Sequence, residues 1–276
     1  MKQINQPFKR KVYLYQTATS RFQQLYELSG SSGKILKKKV IGILGGMGPE
    51  ATAELFYRII RATPARKDQD HLGIIIDNNP KIPDRTAAII GKGPSPLPEM
   101  VETAKNLERA GADFIIMPCV TAHHYYEELK KSVKIPILDM IELTAQKIEK
   151  DFPSVNNAGL IATMGTIKNK TYDQALGRIG VRVIIPPESM EEDVMKAVYN
   201  YIKAGSLTEG KHIIVNVANQ LIAMGAEAII CGCTEVSMVL KSGDLSIPVI
   251  DSLQILAETA VATALGTVYG GIIVRG

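Results

Sequence analysis

The chain has 276 residues, 46% of them hydrophobic and 22% charged, the composition of an ordinary globular protein with one large domain or two smaller ones. No apolar run approaches the ~18–20 residues that a membrane-spanning helix needs, three cysteines are too few for a disulfide framework, and 5% aromatic residues without Trp argue against a stacking platform for single-stranded nucleic acid. The net charge of +4 is unevenly placed: residues 1–39 carry nine Lys or Arg against one acid, Glu27, leaving 23 basic and 27 acidic side chains in the other 237 residues. The body is mildly acidic, which excludes a basic nucleic-acid groove across it.

Residues 1–39 have no clean amphipathic period and end in LSGSSGKILKKK, so they read as a basic appendage outside the core. From Val40 the pattern turns regular. VIGIL is followed by a helix over Glu50–Arg61, then GIIID, a helix near Pro98–Ala110, and DFIIM. Short Ile/Val runs alternating with longer helical stretches predict parallel strands with helical crossovers, an α/β architecture. A second set follows: AGLIAT, VRVIIP, a helix over Glu191–Ala204, a helix over His212–Met224, and EAIIC.

The two sets match. GADFIIMPC (Gly111–Cys119) aligns without a gap to GAEAIICGC (Gly225–Cys233), with five of nine residues identical. Each is followed by a similar segment, IPILD or IPVID, and GILGGMG upstream resembles GLIATMG. Offsets of 114, 112 and 117 residues predict an internal duplication: two similar parallel-sheet α/β domains related by a pseudo-twofold axis. The expected division is residues 40–153 plus 250–276 for the first domain and 154–249 for the second.

In each half a cysteine ends a buried strand just before the chain turns into a helix, Cys119 in one and Cys233 in the other. Ligands of open α/β sheets bind beyond the carboxyl ends of the strands, so two such halves facing each other would bring both thiols to one cleft. A carbon held between them could lose a proton to one sulfur and gain one from the other, which is the requirement of a racemase or epimerase. Cys231, two residues before Cys233 and deeper in the strand, is assigned to the core.

Other residues offer charge to a ligand. Arg85, in the proline-punctuated loop DNNPKIPDRT, can clamp a carboxylate with two parallel hydrogen bonds. Lys203 is a second cation, although its helical pattern alone points it to solvent. GGMGPEAT is a glycine turn opening a helix and could approach an anion, with Asp77 imitating a ribose ligand; it is not a true G-x-G-x-x-G. His123, four residues after Cys119, raises a Cys–His hydrolase or, with His124, a metal site, but no orienting group or ligand cluster accompanies either.

The ordered motifs GGMGPEAT, NNPKIPDRT, MPCVTAH and CGCTE, spread over about residues 40–265, resemble the aspartate/glutamate racemase family, in its aspartate racemase and broad-specificity amino-acid racemase branch. The resemblance implies a cofactor-independent, cytoplasmic enzyme, a homodimer acting on a small amino acid. It makes Cys119 and Cys233 the acid–base pair, gives Arg85 and Lys203 charged substrate contacts, sets Thr121 and Thr234 to hold the amino acid, and lines the pocket with Met47. The chain departs from the family where Val120 replaces the usual Asn after the first cysteine, which removes a hydrogen-bonding side chain beside the substrate and weakens the expectation of aspartate. A cysteine-dependent decarboxylase, a cis–trans isomerase and a catalytically silent ligand-binding homologue remain open.

Overall fold

A computed structural model describes residues 38–267; all of the basic leading segment except Lys38 and Lys39 lies outside them. The first sheet holds β1 (Ile41–Gly45), β2 (Ile74–Asn78) and β3 (Phe114–Ile116) in the order β2-β1-β3, all parallel. The second holds β4 (Asn157–Ile161), β5 (Arg182–Ile184), β6 (Ala228–Cys231) and β7 (Val249–Ile250) in the order β5-β4-β6-β7, again parallel. A bridge between Ile115 and Ile137 adds to the first sheet the position that β7 takes in the second. Both sheets therefore run in one order.

The repeat extends to side-chain details. Asp113, before β3, accepts the Val40 N–H, and its counterpart Glu227, before β6, accepts those of Asn156 and Asn157. Asp139, ending IPILD, caps helix α5 (Met140–Asp151), and Asp251, ending IPVID, caps α11 (Ser252–Leu265). β1 is buried at all five positions, as expected for a parallel strand covered on both faces by helices. Each half has its own apolar core, and each candidate cysteine sits in one: Cys119 with Met100, Leu107 and Ile115, Cys233 with Val198, Val217 and Ile229.

The remaining helices are α1 (Pro49–Ala62), α2 (Arg85–Ile89), α3 (Leu97–Arg109), α4 (Tyr126–Ser132), α6 (Met164–Asn169), α7 (Thr171–Gly177), α8 (Glu188–Lys196), α9 (Leu207–Ala223) and α10 (Thr234–Val239). The helix expected over Glu191–Ala204 is interrupted: α8 gives way to a π turn over Ala197–Tyr201 and a tight turn over Ile202–Ala204. The loop expected through Thr86 ends sooner, because Asp84 accepts the Ala87 N–H and starts α2 at Arg85. Helix α11 packs on α1 and α5.

The halves meet closely at Gly165 in α6. A Cβ there would stand 2.9 Å from the side chains of Thr121 and Thr86. Thr121 also bridges the halves through its hydroxyl, 2.9 Å from that of Thr163 and 3.0 Å from that of Thr166. The variant Gly165→Ala forces these segments apart and is expected to lower unfolding stability by about 1–3 kcal/mol, measured by urea denaturation; an unchanged midpoint would mean that the contact relaxes freely.

Candidate active site

The cysteines lie just past strand ends, as the topology requires. Cys119 is three residues beyond β3, and Cys233 is the residue preceding the first turn of α10. Both line one cavity between the halves, with about 290 Å³ of empty space including its open mouth. Met47, Arg85, Val120, Thr121, Lys203 and Thr234 line it too, whereas Asp77, His123 and His124 do not.

Five polar cavity residues have no role in the sequence-based reading: Glu235, Asp84, Thr86, Tyr199 and Thr163. Glu235, although quoted within CGCTE, was given no role; it is 5% exposed and lies at the centre of the second half's chemistry. The Cys233 thiol donates to its Oε2 at 2.8 Å, Thr234 Oγ1 donates to the same oxygen at 3.2 Å, and Lys203 Nζ lies 2.9 Å from Oε1. Lys203 turns inward because this carboxylate offers it a partner. Asp84, Tyr199 and Thr163 also face the cavity. Tyr199 comes from the second half, on the π turn, and its hydroxyl donates to Asp84 Oδ2 of the first half at 2.9 Å, while Lys203 Nζ lies 5.4 Å from the centre of its ring. Glu235, Asp84 and Thr86 carried a sequence signal, each beside a residue already marked.

Charge follows from these contacts. Burial works against ionisation of Glu235, but Lys203 and the Cys233 donor outweigh it, and its pKa falls below the ordinary carboxylate value. Burial pushes the Cys233 thiol well above its usual value, and the adjacent carboxylate pushes it further, with Lys203 pulling the other way. Cys233 is therefore held protonated at neutral pH. Lys203 is opposed by burial and raised by Glu235.

Arg85 is equally buried, at 8% exposure, and not a solvated loop residue. Its Nη1 donates to the carbonyls of Ile82 and Pro83 and its Nη2 to that of Met47, at 2.9–3.3 Å. Burial opposes its charge, while Cys119 and Asp84 support it, and the net shift is upward. Its Nε is buried without a partner, and the guanidinium interacts with the Cys119 side chain. A buried cation with a spare donor is what a ligand carboxylate needs.

Competing chemistry is constrained. His123 Nε2 accepts the Met140 N–H at 3.1 Å and its Nδ1 faces the Cys119 carbonyl at 2.9 Å, so the ring is spent on backbone and is not a base for the thiol. The glycine turn uses its Gly46 N–H on Thr52 Oγ1, and Asp77 accepts from Asn106 at 3.0 Å, which leaves no open dinucleotide cradle there. Among the described residues no group of three His, Cys, Asp or Glu is arranged to hold a metal, and no helix is long and apolar enough to cross a membrane. Cys231 is completely buried, in the core as expected.

The family model for Asp/Glu/Hydantoin racemase matches residues 44–260. The chain belongs to this racemase family. It is 30% identical over 236 residues to the broad specificity amino-acid racemase of Bacillus subtilis, covering 82% of this chain and 98% of that one. Among solved structures it is similar to the aspartate racemase of Picrophilus torridus, with a TM-score of 0.74 and 33% identity over 83% of this chain and 94% of that one. It is also similar to an aspartate racemase homologue from Pyrococcus horikoshii, with a TM-score of 0.65 and 26% identity over 83% and 99% of the two chains. The chain shares their two-domain parallel-sheet fold, and it is an isomerase of a family that works without pyridoxal phosphate.

The Glu235–Cys233 contact generates a prediction. In Glu235→Gln the negative neighbour is gone while Lys203 stays, so the Cys233 thiol should ionise at lower pH. Alkylation by iodoacetamide followed between pH 7 and 10 should show Cys233 reacting at lower pH than in the wild type; an unchanged profile would mean that burial alone sets its ionisation.

Proposed function

We propose that the protein racemises a small amino acid by a two-cysteine mechanism at this cavity. The observation that carries the reading is the pairing of one sulfur from each half with a distinct charged partner, Cys119 with Arg85 and Cys233 with Glu235 and Lys203. In one direction the Cys119 thiolate, beside the guanidinium, removes the Cα proton, and the Cys233 thiol delivers its proton to the opposite face. In the reverse direction the roles exchange: the Cys233 thiolate left by the forward turn takes the Cα proton, and the Cys119 thiol formed in that turn returns one, which restores the starting state. The carbanion between the two steps spreads its charge onto the substrate carboxylate, where Arg85 Nε and Lys203 stabilise it. Thr121 and Thr234 bound the amino acid, with Met47 and Val120 forming an apolar wall.

The proposed substrate is aspartate or another small or acidic amino acid, with aspartate a weaker fit than an Asn at 120 would make it. We also propose that residues 40–153 with 250–276 and residues 154–249 are the two domains, a division supported by the packing of α11 on α1 and α5. A homodimer is proposed on the exposure of Phe56, Tyr57 and Ile60 along α1, an apolar stripe that a second copy would cover. A cytoplasmic setting suits three unpaired cysteines.

Replacing either sulfur removes one half of the proton exchange. Cys119→Ser and Cys233→Ser should each lower racemisation by at least about 1,000-fold, because a hydroxyl is a far weaker acid than a thiol and does not ionise near neutral pH to serve as the base. Cys231→Ser should keep most of the activity, measured by chiral chromatography of the product. Near-normal turnover in either of the first two variants would exclude the mechanism. Val120→Asn should raise aspartate turnover about ten- to hundredfold, the worth of one hydrogen bond to a charged group; no gain would remove Val120 as the reason for weak aspartate use.

A further inference from the structure

Arg58 is a buried cation that the proposed chemistry does not use. Its side chain is 7% exposed, on α1, nearly three turns beyond the glycine turn, and it reaches three acceptors. Nε pairs with Glu54 at 2.7 Å, Nη1 with Asp251 at 2.6 Å, and Nη2 donates to the backbone carbonyl of Ser237 at 2.8 Å. Lys241 donates to that same carbonyl at 2.6 Å. Two cations on one peptide oxygen repel each other, and burial with Arg58 lowers the Lys241 pKa. The carboxylates of Asp251 and Glu54 offset the clash.

Ser237 is one turn beyond Cys233, and its N–H donates to the Cys233 carbonyl at 3.2 Å. Arg58 is therefore two hydrogen bonds away from the backbone that carries the sulfur. Helix α10 has six residues, too short to hold its own geometry, and leaves its last carbonyls without helical partners. Arg58 and Lys241 fill the Ser237 carbonyl and place positive charge at the helix's negative end. The other end of the linkage lies in the first half. The turn before α1 contains Met47, whose carbonyl receives Arg85 Nη2, and Arg85 lies beside Cys119.

We propose that Arg58 is a positioning residue that sets the place of Cys233 and Glu235 relative to Cys119, with α1 as the strut between the two sides of the cavity. The proposal rests on the two-cysteine reading. Loss of the tie lets α10 shift while the Cys119 side stays in place, and a displacement of about 1 Å in a reacting group costs on the order of 100-fold. Arg58→Lys keeps the charge but not the reach to all three acceptors; Arg58→Met removes both.

The test uses the full chain in D₂O with each enantiomer of aspartate or alanine, whichever the wild type turns over faster, and reads by NMR and chiral chromatography the ratio of Cα–H exchange with retention to exchange with inversion. With Cys233 misplaced, substrate deprotonated by Cys119 is reprotonated from the same side, so the ratio rises about tenfold or more from one enantiomer and falls from the other. Arg58→Lys should show the change in milder form than Arg58→Met. Lys241→Met, at a more exposed position, shifts the ratio in the same sense and serves if the Arg58 variants do not fold. Inversion and exchange falling together, with the ratio constant for both enantiomers, would overturn the positioning role. No exchange in the wild type with any amino acid would instead overturn the two-cysteine reading on which it depends.

Discussion

Glu235 keeps a negative charge at 5% exposure, and the second half of the cavity is arranged around that fact. A buried carboxylate survives as an anion only when charge and hydrogen bonds replace water. Lys203 supplies the charge, and the Cys233 thiol and Thr234 hydroxyl supply hydrogen bonds. One carboxylate thereby pairs with Lys203 and adds to the burial that keeps Cys233 protonated. Across the cavity the order is inverted: a buried guanidinium, Arg85, stands beside the other sulfur. Two equivalent positions of a duplicated fold have opposite partners, the asymmetry on which the proposed acid and base roles of the two sulfurs rest.

The fold was legible because the signal was repeated. A strand pattern such as DFIIM is ambiguous alone, but its match to EAIIC at a fixed offset, with IPILD and IPVID behind, constrains both halves together. The acids at 113 and 227 and the caps at 139 and 251 show that matching letters reflect matching hydrogen bonds. The break in the helix after Lys196 was not legible, because AVYNYIKA has no Pro or internal Gly to interrupt an apolar period. That π turn carries Tyr199 to Asp84, a contact spanning 115 positions, and such pairings leave no local trace.

The site was partly legible. Cys119, Cys233 and Arg85 stand in motifs whose spacing marks them. Lys203 illustrates the limit: its helical period points to solvent, and a partner on another helix, Glu235, turns it inward. His123 shows the reverse, a chemically suggestive neighbour of a cysteine whose ring nitrogens are both occupied by backbone. Val120 stays informative at both levels, since it is 3% exposed and presents no hydrogen-bonding side chain where the cavity is otherwise rich in them.

The central claim is that a carbon-bound proton is taken on one face and returned on the other by the two sulfurs. The most direct measurement is proton NMR of the wild-type chain in D₂O with L- and D-amino acids, beginning with aspartate, glutamate and alanine. The account predicts loss of the Cα–H signal of at least one small amino acid together with appearance of its enantiomer from both directions. Inertness of every amino acid, or exchange that never yields the opposite enantiomer, would contradict it.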